Sequence, residues 1–223
     1  MNIFDPALAQ KITKSGNIAV VVIDNPAHAV KLAEMLLEGG VTVMELTLRT
    51  QSALDSLAKI VKHVPEMTIG AGTVLTVEQL VAVRDIGASF AVAPGFNRRI
   101  VETARDMRLS FAPGVMTPSE IEGAVELGCR LLKFFPASVV GGLKAIKTLV
   151  APYNHLGLTY IPLGGVTPET TAEYLACPLI AACGGSWIAP QKLIAAEDWD
   201  AIKANAIQAC DIAIAARQNA NTL

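Results

Sequence analysis

Residues 67–136 read MTIGAGTVLTVEQLVAVRDIGASFAVAPGFNRRIVETARDMRLSFAPGVMTPSEIEGAVELGCRLLKFFP. Four short apolar runs stand out, at 67–71, 89–93, 110–113 and 130–135, and a helical pattern follows each. Almost wholly apolar runs of this length are what parallel strands covered on both faces look like. The helix signals between them are specific. Thr76 to Gln79 and Thr117 to Glu120 have capping-box spacing, with Leu75 and Leu80, and Met116 and Ile121, placed as hydrophobic staples. Gly87 and Gly128 stand where helices should stop.

The alternation extends outward from this stretch. Further apolar runs lie at 18–23 and 42–48 upstream and at 158–162 and 179–183 downstream. The landmarks Gly70, Pro94, Pro113, Pro136, Pro162 and Cys183 are separated by 24, 19, 23, 26 and 21 residues. That near-constant step is a repeated strand–helix unit. Asn25-Pro26 and Thr167-Pro168-Glu169 read as helix starts, and Gly39-Gly40 as a helix stop. Leu32, Met35 and Leu36, then Leu54, Leu57, Val61 and Val64, form core-facing stripes. Residues 4–13 form a short leading helix and 198–217 the last one. Eight such units predict an α/β fold, a (β/α)8 TIM barrel, as a single domain over 1–223. The alternative is a doubly wound open sheet, but Gly70-Ala71-Gly72-Thr73-Val74-Leu75 lacks the third glycine of its dinucleotide fingerprint.

Composition narrows the function classes. Of the 223 residues, 52% are hydrophobic and 17% charged, which excludes a disordered chain. A net charge of −2 offers no polybasic surface for nucleic acid or anionic lipid. Mean hydropathy is high at +0.45. Yet the aliphatic run 18–23 stops far short of the ~18 residues needed to span a bilayer. The first sixteen residues lack the apolar stretch of a signal peptide. A cytoplasmic protein with no membrane and no nucleic-acid partner is expected. Cys129, Cys177, Cys183 and Cys210 form no CxxC pair and read as thiols of a reducing compartment. His28, His63 and His155 make no ligand-spaced cluster, so no metal and no cofactor is expected.

In a barrel of this kind, polar residues at the C-terminal ends of strands carry the chemistry. Lys133 lies inside the apolar run Leu131-Leu132-Lys133-Phe134-Phe135-Pro136. A desolvated lysine is costly when charged, and a neutral amine in an apolar slot is a Schiff-base nucleophile. The alternative is a lysine that snorkels to the strand end. In Val43-Met44-Glu45-Leu46-Thr47-Leu48-Arg49, strand alternation sends Met44, Leu46 and Leu48 to the helices. Glu45, Thr47 and Arg49 then face the barrel interior, as a buried Glu45–Arg49 ion pair or as catalytic groups. Glu45 is on the second run and Lys133 on the sixth. Even-numbered strands share interior layers, so the two are expected to touch. Gly164-Gly165 and Gly184-Gly185-Ser186 follow the seventh and eighth runs, where barrels commonly bind phosphate. Thr73 and Pro94 are placed to line the same mouth. Thr73 either contacts substrate or caps a turn.

Glu45-Leu46-Thr47-Leu48-Arg49-Thr50, Gly70-Ala71-Gly72-Thr73-Val74, Pro94-Gly95, Pro113-Gly114-Val115, Lys133-Phe134-Phe135-Pro136-Ala137 and Gly184-Gly185-Ser186-Trp187 resemble the 2-keto-3-deoxy-6-phosphogluconate (KDPG) aldolase family. The likeness runs from about residue 5 to 215. It implies a metal-free class I aldolase, commonly a homotrimer, acting on a small 2-keto acid such as KDPG or 4-hydroxy-2-oxoglutarate (KHG). It implies Lys133 as the Schiff-base former and Glu45 as general acid/base. Arg49 and Thr73 would bind substrate, and Gly164, Gly165, Gly184 and Ser186 would meet the phosphate. Three positions depart from the family pattern. Leu163 stands where a threonine is typical, Ser138 where a glutamate is common, and Val22-Ile23-Asp24-Asn25 carries no basic residue. An aldolase for another 2-keto-3-deoxy sugar acid, a sugar-phosphate epimerase and a non-catalytic sugar-phosphate-binding barrel are the competing expectations.

Overall fold

A leading helix, α1 (Pro6–Ser15), precedes the first strand of the computed structural model, which describes residues 2–220, the last two by backbone alone. The expected domain limits at 1 and 223 lie outside the described residues. Nine parallel strands follow: β1 (Asn17–Val21), β2 (Val43–Thr47), β3 (Thr68–Gly72), β4 (Phe90–Val92), β5 (Ser110–Ala112), β6 (Gly114–Val115), β7 (Leu131–Phe134), β8 (Thr159–Pro162) and β9 (Cys183–Gly185). Their order is β5-β4-β3-β2-β1-β9 in one sheet and β6-β7-β8 in the other. β5 matches the fifth expected run, 110–113, and β6 continues it beyond Pro113, which has no N–H to give to a ladder. The proline still accepts from Lys133 N at 3.0 Å, so the ring continues into β7. On the other side a parallel bridge, Tyr160 to Ile180, carries β8 across to the run that becomes β9. The curled sheet thus closes as an eight-position barrel, as the repeated units predict.

The eighth strand is displaced from its expected place. Residues 179–183 pair with β8 only around Ile180, and the ladder with β1 begins at Cys183 and runs through Gly184 and Gly185. Apolar side chains mark where the chain is buried, whereas this ladder is made by glycine backbone.

Alternation sorts the side chains into two cores. Ala19, Val21, Met44 and Leu46 face the helices, while Ile18, Val43, Phe90, Val92, Ala112, Leu131, Ile161 and Leu163 fill the barrel. Helix α1 closes the barrel floor. Its Ile12 and the preceding Phe4 belong to the interior cluster, and the Phe4 ring sits 6.1 Å from that of Phe90. Burying a side chain such as Ile12 contributes about 1.5–3 kcal/mol. Asp5 caps α1 by accepting from Leu8 N at 2.8 Å, and Gly16 ends it in the left-handed conformation at φ +72°.

The helices start where their caps predict, with local differences. Thr117 and Glu120 form the full capping box of α6 (Pro118–Glu126), and Thr167 with Thr170 forms that of α8 (Pro168–Leu175). At α4 (Val77–Ile86) Thr76 accepts from Gln79 N, but the Gln79 side chain accepts from Leu75 N instead of closing the box. Asn25 caps a 3-10 turn, Pro26–His28, that leads into α2 (Ala29–Glu38). Leu54, Leu75 and Met116 remain exposed, so the expected staples and the first position of the α3 (Ala53–His63) stripe are not buried. The last helix, α10 (Trp199–Ala220), follows a short α9 (Gln191–Ala195).

Candidate active site

Glu45 is the central residue of β2 and Lys133 the third of β7. Both belong to strands covered on each face, and both side chains point inward as alternation requires. They meet there. Lys133 Nζ donates to Glu45 Oε1 at 2.9 Å, with side-chain exposures of 7% and 2%. The lysine therefore does not snorkel to water. The expected alternative of a Glu45–Arg49 ion pair is also overturned, because Glu45 pairs with Lys133. Arg49 has no ion pair among the described residues. β2 ends at Thr47, so Arg49 sits on the turn beyond it, exposed.

The barrel is shaped around this contact. Glu45 stands in register with Val20 on β1 and Gly70 on β3. Two residues along, a Cβ at Gly72 would overlap the Glu45 carboxylate, so any side chain there must displace that carboxylate. Gly72→Ala is expected to shift the carboxylate by about 1 Å and slow turnover roughly 100-fold, since misplacement on that scale carries that cost. Thermal unfolding and turnover measured on the same preparation check it: a fully active variant would show that the contact tolerates displacement.

A cavity of about 170 Å³ opens at the C-terminal mouth. Arg49, Lys133, Gly164, Gly165, Gly184 and Ser186 line it, bringing six expected site residues together. Gly164 and Gly165 have φ of +86° and +78°, a left-handed turn that glycine alone makes without strain. Val20, Phe135, Leu163 and Val166 supply apolar wall. Of these four, Leu163 stands out in the sequence only as a departure from the family pattern, and Val20, Phe135 and Val166 are not among the expected site residues. Phe135 had a signal, since it lies two residues from Lys133 on one strand face, and its ring centroid is 5.7 Å from Nζ. Leu163 is buried, and its side chain fills the space a Cβ at Gly184 would need. Ser138 in turn occupies the space a Cβ at Gly165 would need.

Four expected residues are outside this lining; one of them, Glu45, is joined to it through its contact with Lys133. Pro94 is not in its lining; its carbonyl group lies against Gly114. Gly185 turns toward the Trp187 indole, in keeping with its place inside β9. Thr73 follows β3 with φ +62°, an unusual conformation for a β-branched residue, and is also outside the lining. Thr47 turns its hydroxyl to the carbonyl oxygen of Val21 at 3.1 Å, a bond between neighbouring strands.

Other nucleophiles are held inactive. Burial pushes the Cys129 thiol up to about 12 and raises the Cys183 thiol too, so both stay protonated at neutral pH. Among the described residues no three His, Cys, Asp or Glu side chains group to hold a metal ion. Among the described residues no helix is long and apolar enough to cross a membrane. A buried amine beside a carboxylate at a barrel mouth can form an imine with a ketone and shuttle the protons that requires.

The family profile described as KDPG and KHG aldolase matches residues 8–205. The chain is 40% identical over 195 residues to a 2-dehydro-3-deoxy-phosphogluconate aldolase of Haemophilus influenzae, covering 87% of this chain and 91% of that protein. Among solved structures it resembles the 2-keto-3-deoxy-6-phosphogluconate aldolase of Zymomonas mobilis with 3-phosphoglycerate, at TM-score 0.84 and 34% identity, over 91% of this chain and 94% of that one. It also resembles the KDPG aldolase of Legionella pneumophila with pyruvate captured as a covalent carbinolamine, at TM-score 0.86 and 33% identity, over 90% and 97%.

Proposed function

Because this chain belongs to the KDPG and KHG aldolase family, we propose that it cleaves KDPG to pyruvate and glyceraldehyde 3-phosphate, and KHG to pyruvate and glyoxylate, with residues 1–223 acting as one barrel domain. The observation that carries this is the buried 2.9 Å contact between Lys133 Nζ and Glu45 Oε1.

Glu45 takes a proton from the Lys133 ammonium across that contact, freeing the nitrogen lone pair. The amine adds to the C2 ketone of the substrate, and C2 becomes a carbinolamine. Glu45 returns the proton to the departing hydroxyl, water leaves, and a protonated imine remains. Glu45 next removes the proton of the C4 hydroxyl, directly or through a water. The C3–C4 bond breaks, its electrons flow to the iminium nitrogen, and the aldehyde departs. The enamine takes a proton at C3, and water hydrolyses the imine to pyruvate. No oxidant, reductant or metal enters this balance. Arg49, at the cavity edge, offers a planar fork to the substrate carboxylate. Gly164, Gly165, Gly184 and Ser186 receive the phosphate, and Thr73 and Pro94 frame the outer mouth. The likeness to the Legionella pneumophila aldolase, solved with a pyruvate carbinolamine, supports the imine route.

The purified protein is expected to release pyruvate from KDPG and from KHG, read as NADH oxidation by added lactate dehydrogenase, at the same rate with and without EDTA. No pyruvate from either substrate would refute the activity, and loss in EDTA restored by zinc or magnesium would refute the class I route. Ser186→Asp is expected to weaken KDPG use far more than KHG use, because a carboxylate at the cavity edge repels phosphate. Equal losses would remove the phosphate assignment. A cytoplasmic homotrimer completes the proposal, and light scattering at micromolar concentration tests its size.

A further inference from the structure

We propose that Asp24 and Gln191 are positioning residues, whose hydrogen bond straps the phosphate end of the site to the loops that follow β1 and β2. This rests on the mouth at Gly184 and Ser186 being that phosphate end.

Gln191 Nε2 donates to Asp24 Oδ2 at 2.6 Å, joining residues 167 positions apart in sequence. Gln191 is the first residue of α9, a few residues after Gly184 and Ser186 in an irregular segment. Asp24 follows Ile23, whose carbonyl oxygen accepts from Thr50 Oγ1 at 2.7 Å and from Ser52 Oγ at 2.6 Å. Thr50 is the neighbour of Arg49. One chain of polar contacts therefore runs from the turn carrying Arg49, through residues 23 and 24, to the segment carrying Ser186. A second tie lies behind it. His28 Nε2 is 3.4 Å from Glu197 Oε1, and the His28 ring meets Trp199 edge-on at 5.8 Å.

The geometry gives this chain a task. KDPG carries a carboxylate at one end and a phosphate at the other, with the scissile bond between them. Arg49 and Ser186 must hold both ends while C2 stays at Lys133, and such spans need to be kept within about 0.5 Å. Ile188 and Ala189 bury the inner side of the segment. The Asp24–Gln191 bond fixes its outer side at the rim. Both partners are exposed, so the strap acts on the placement of the segment more than on the stability of the barrel.

Replacing Gln191→Glu sets two carboxylates face to face and opens the strap. The KM for KDPG is expected to rise about tenfold, with kcat within twofold. Adding Asp24→Asn puts the amide and the carboxylate back in contact with their places exchanged, and is expected to recover most of the lost affinity. Pyruvate has no distal end, so its borohydride adduct at Lys133 should form at the wild-type rate in every variant, which also reports an intact barrel. An unchanged KM in Gln191→Glu, no recovery in the exchanged pair, or slower adduct formation would overturn the strap. A wild-type protein that releases no pyruvate from KDPG would instead overturn the functional reading, and the strap's task with it.

Discussion

Pyruvate and borohydride together are expected to leave one covalent adduct per chain, on Lys133, and Lys133→Arg is expected to abolish both the adduct and turnover. The chain offers many other lysines. Those on helices, including Lys31, Lys59, Lys144 and Lys203, are exposed or half-exposed, and Lys203 is tied to Glu38 at 2.7 Å. An ordinary lysine near pKa ~10.4 is about 99.9% protonated at neutral pH, and an ammonium has no lone pair for a ketone. Lys133 alone among the described lysines is buried, lines the cavity and has a carboxylate in contact to take its proton. Arginine keeps the charge opposite Glu45, so the buried carboxylate stays paired and the barrel should fold, but its guanidinium forms no imine. Mass spectrometry of the reduced adduct locates the site, and circular dichroism of the variant checks the fold. An adduct on another lysine, or pyruvate release by Lys133→Arg, would remove Lys133 from the mechanism.

Glu45 and Lys133 were legible in the sequence for one physical reason. Charged residues are rarely buried, so two of them inside short apolar strands stand out against the pattern that makes the strands visible. Their contact was legible because barrel layers draw on alternate strands. The cavity walls were not. Val20 and Val166 are ordinary apolar residues, and nothing in their type separates a wall of the site from a wall of the core, whereas Leu163 stands out only against the family pattern. Thr73 and Pro94 have plausible types at plausible strand ends, yet neither is among the residues that line the cavity. The eighth strand was misplaced because its ladder to β1 uses Gly184 and Gly185, residues with poor strand propensity that only the register reveals. The Asp24–Gln191 bond joins segments 167 positions apart, and no local pattern announces such a pair.

Glu45→Gln is expected to slow KDPG cleavage by roughly 10²–10⁴, the usual consequence of losing one acid/base group. The amide fills the same space over Gly72 and can still accept from Lys133 Nζ, so the geometry is largely kept. What goes is the capacity to take and return a proton. Every step that moves one slows, including carbinolamine dehydration, so pyruvate trapping by borohydride should slow as well while still reaching one adduct per chain. The loss of a buried counter-charge also costs stability, up to about 3–5 kcal/mol if Lys133 stays charged, and turnover should be measured well below the melting transition. Gly72 separates the two contributions. If Gly72→Ala acts by moving the Glu45 carboxylate, it has nothing left to move in Glu45→Gln, and the double variant should be no slower than Glu45→Gln alone. Multiplied losses in the double variant would mean that Gly72 serves another group. A Glu45→Gln enzyme within tenfold of wild type, with Lys133 still trapped at full rate, would place the proton shuttle elsewhere in the mouth.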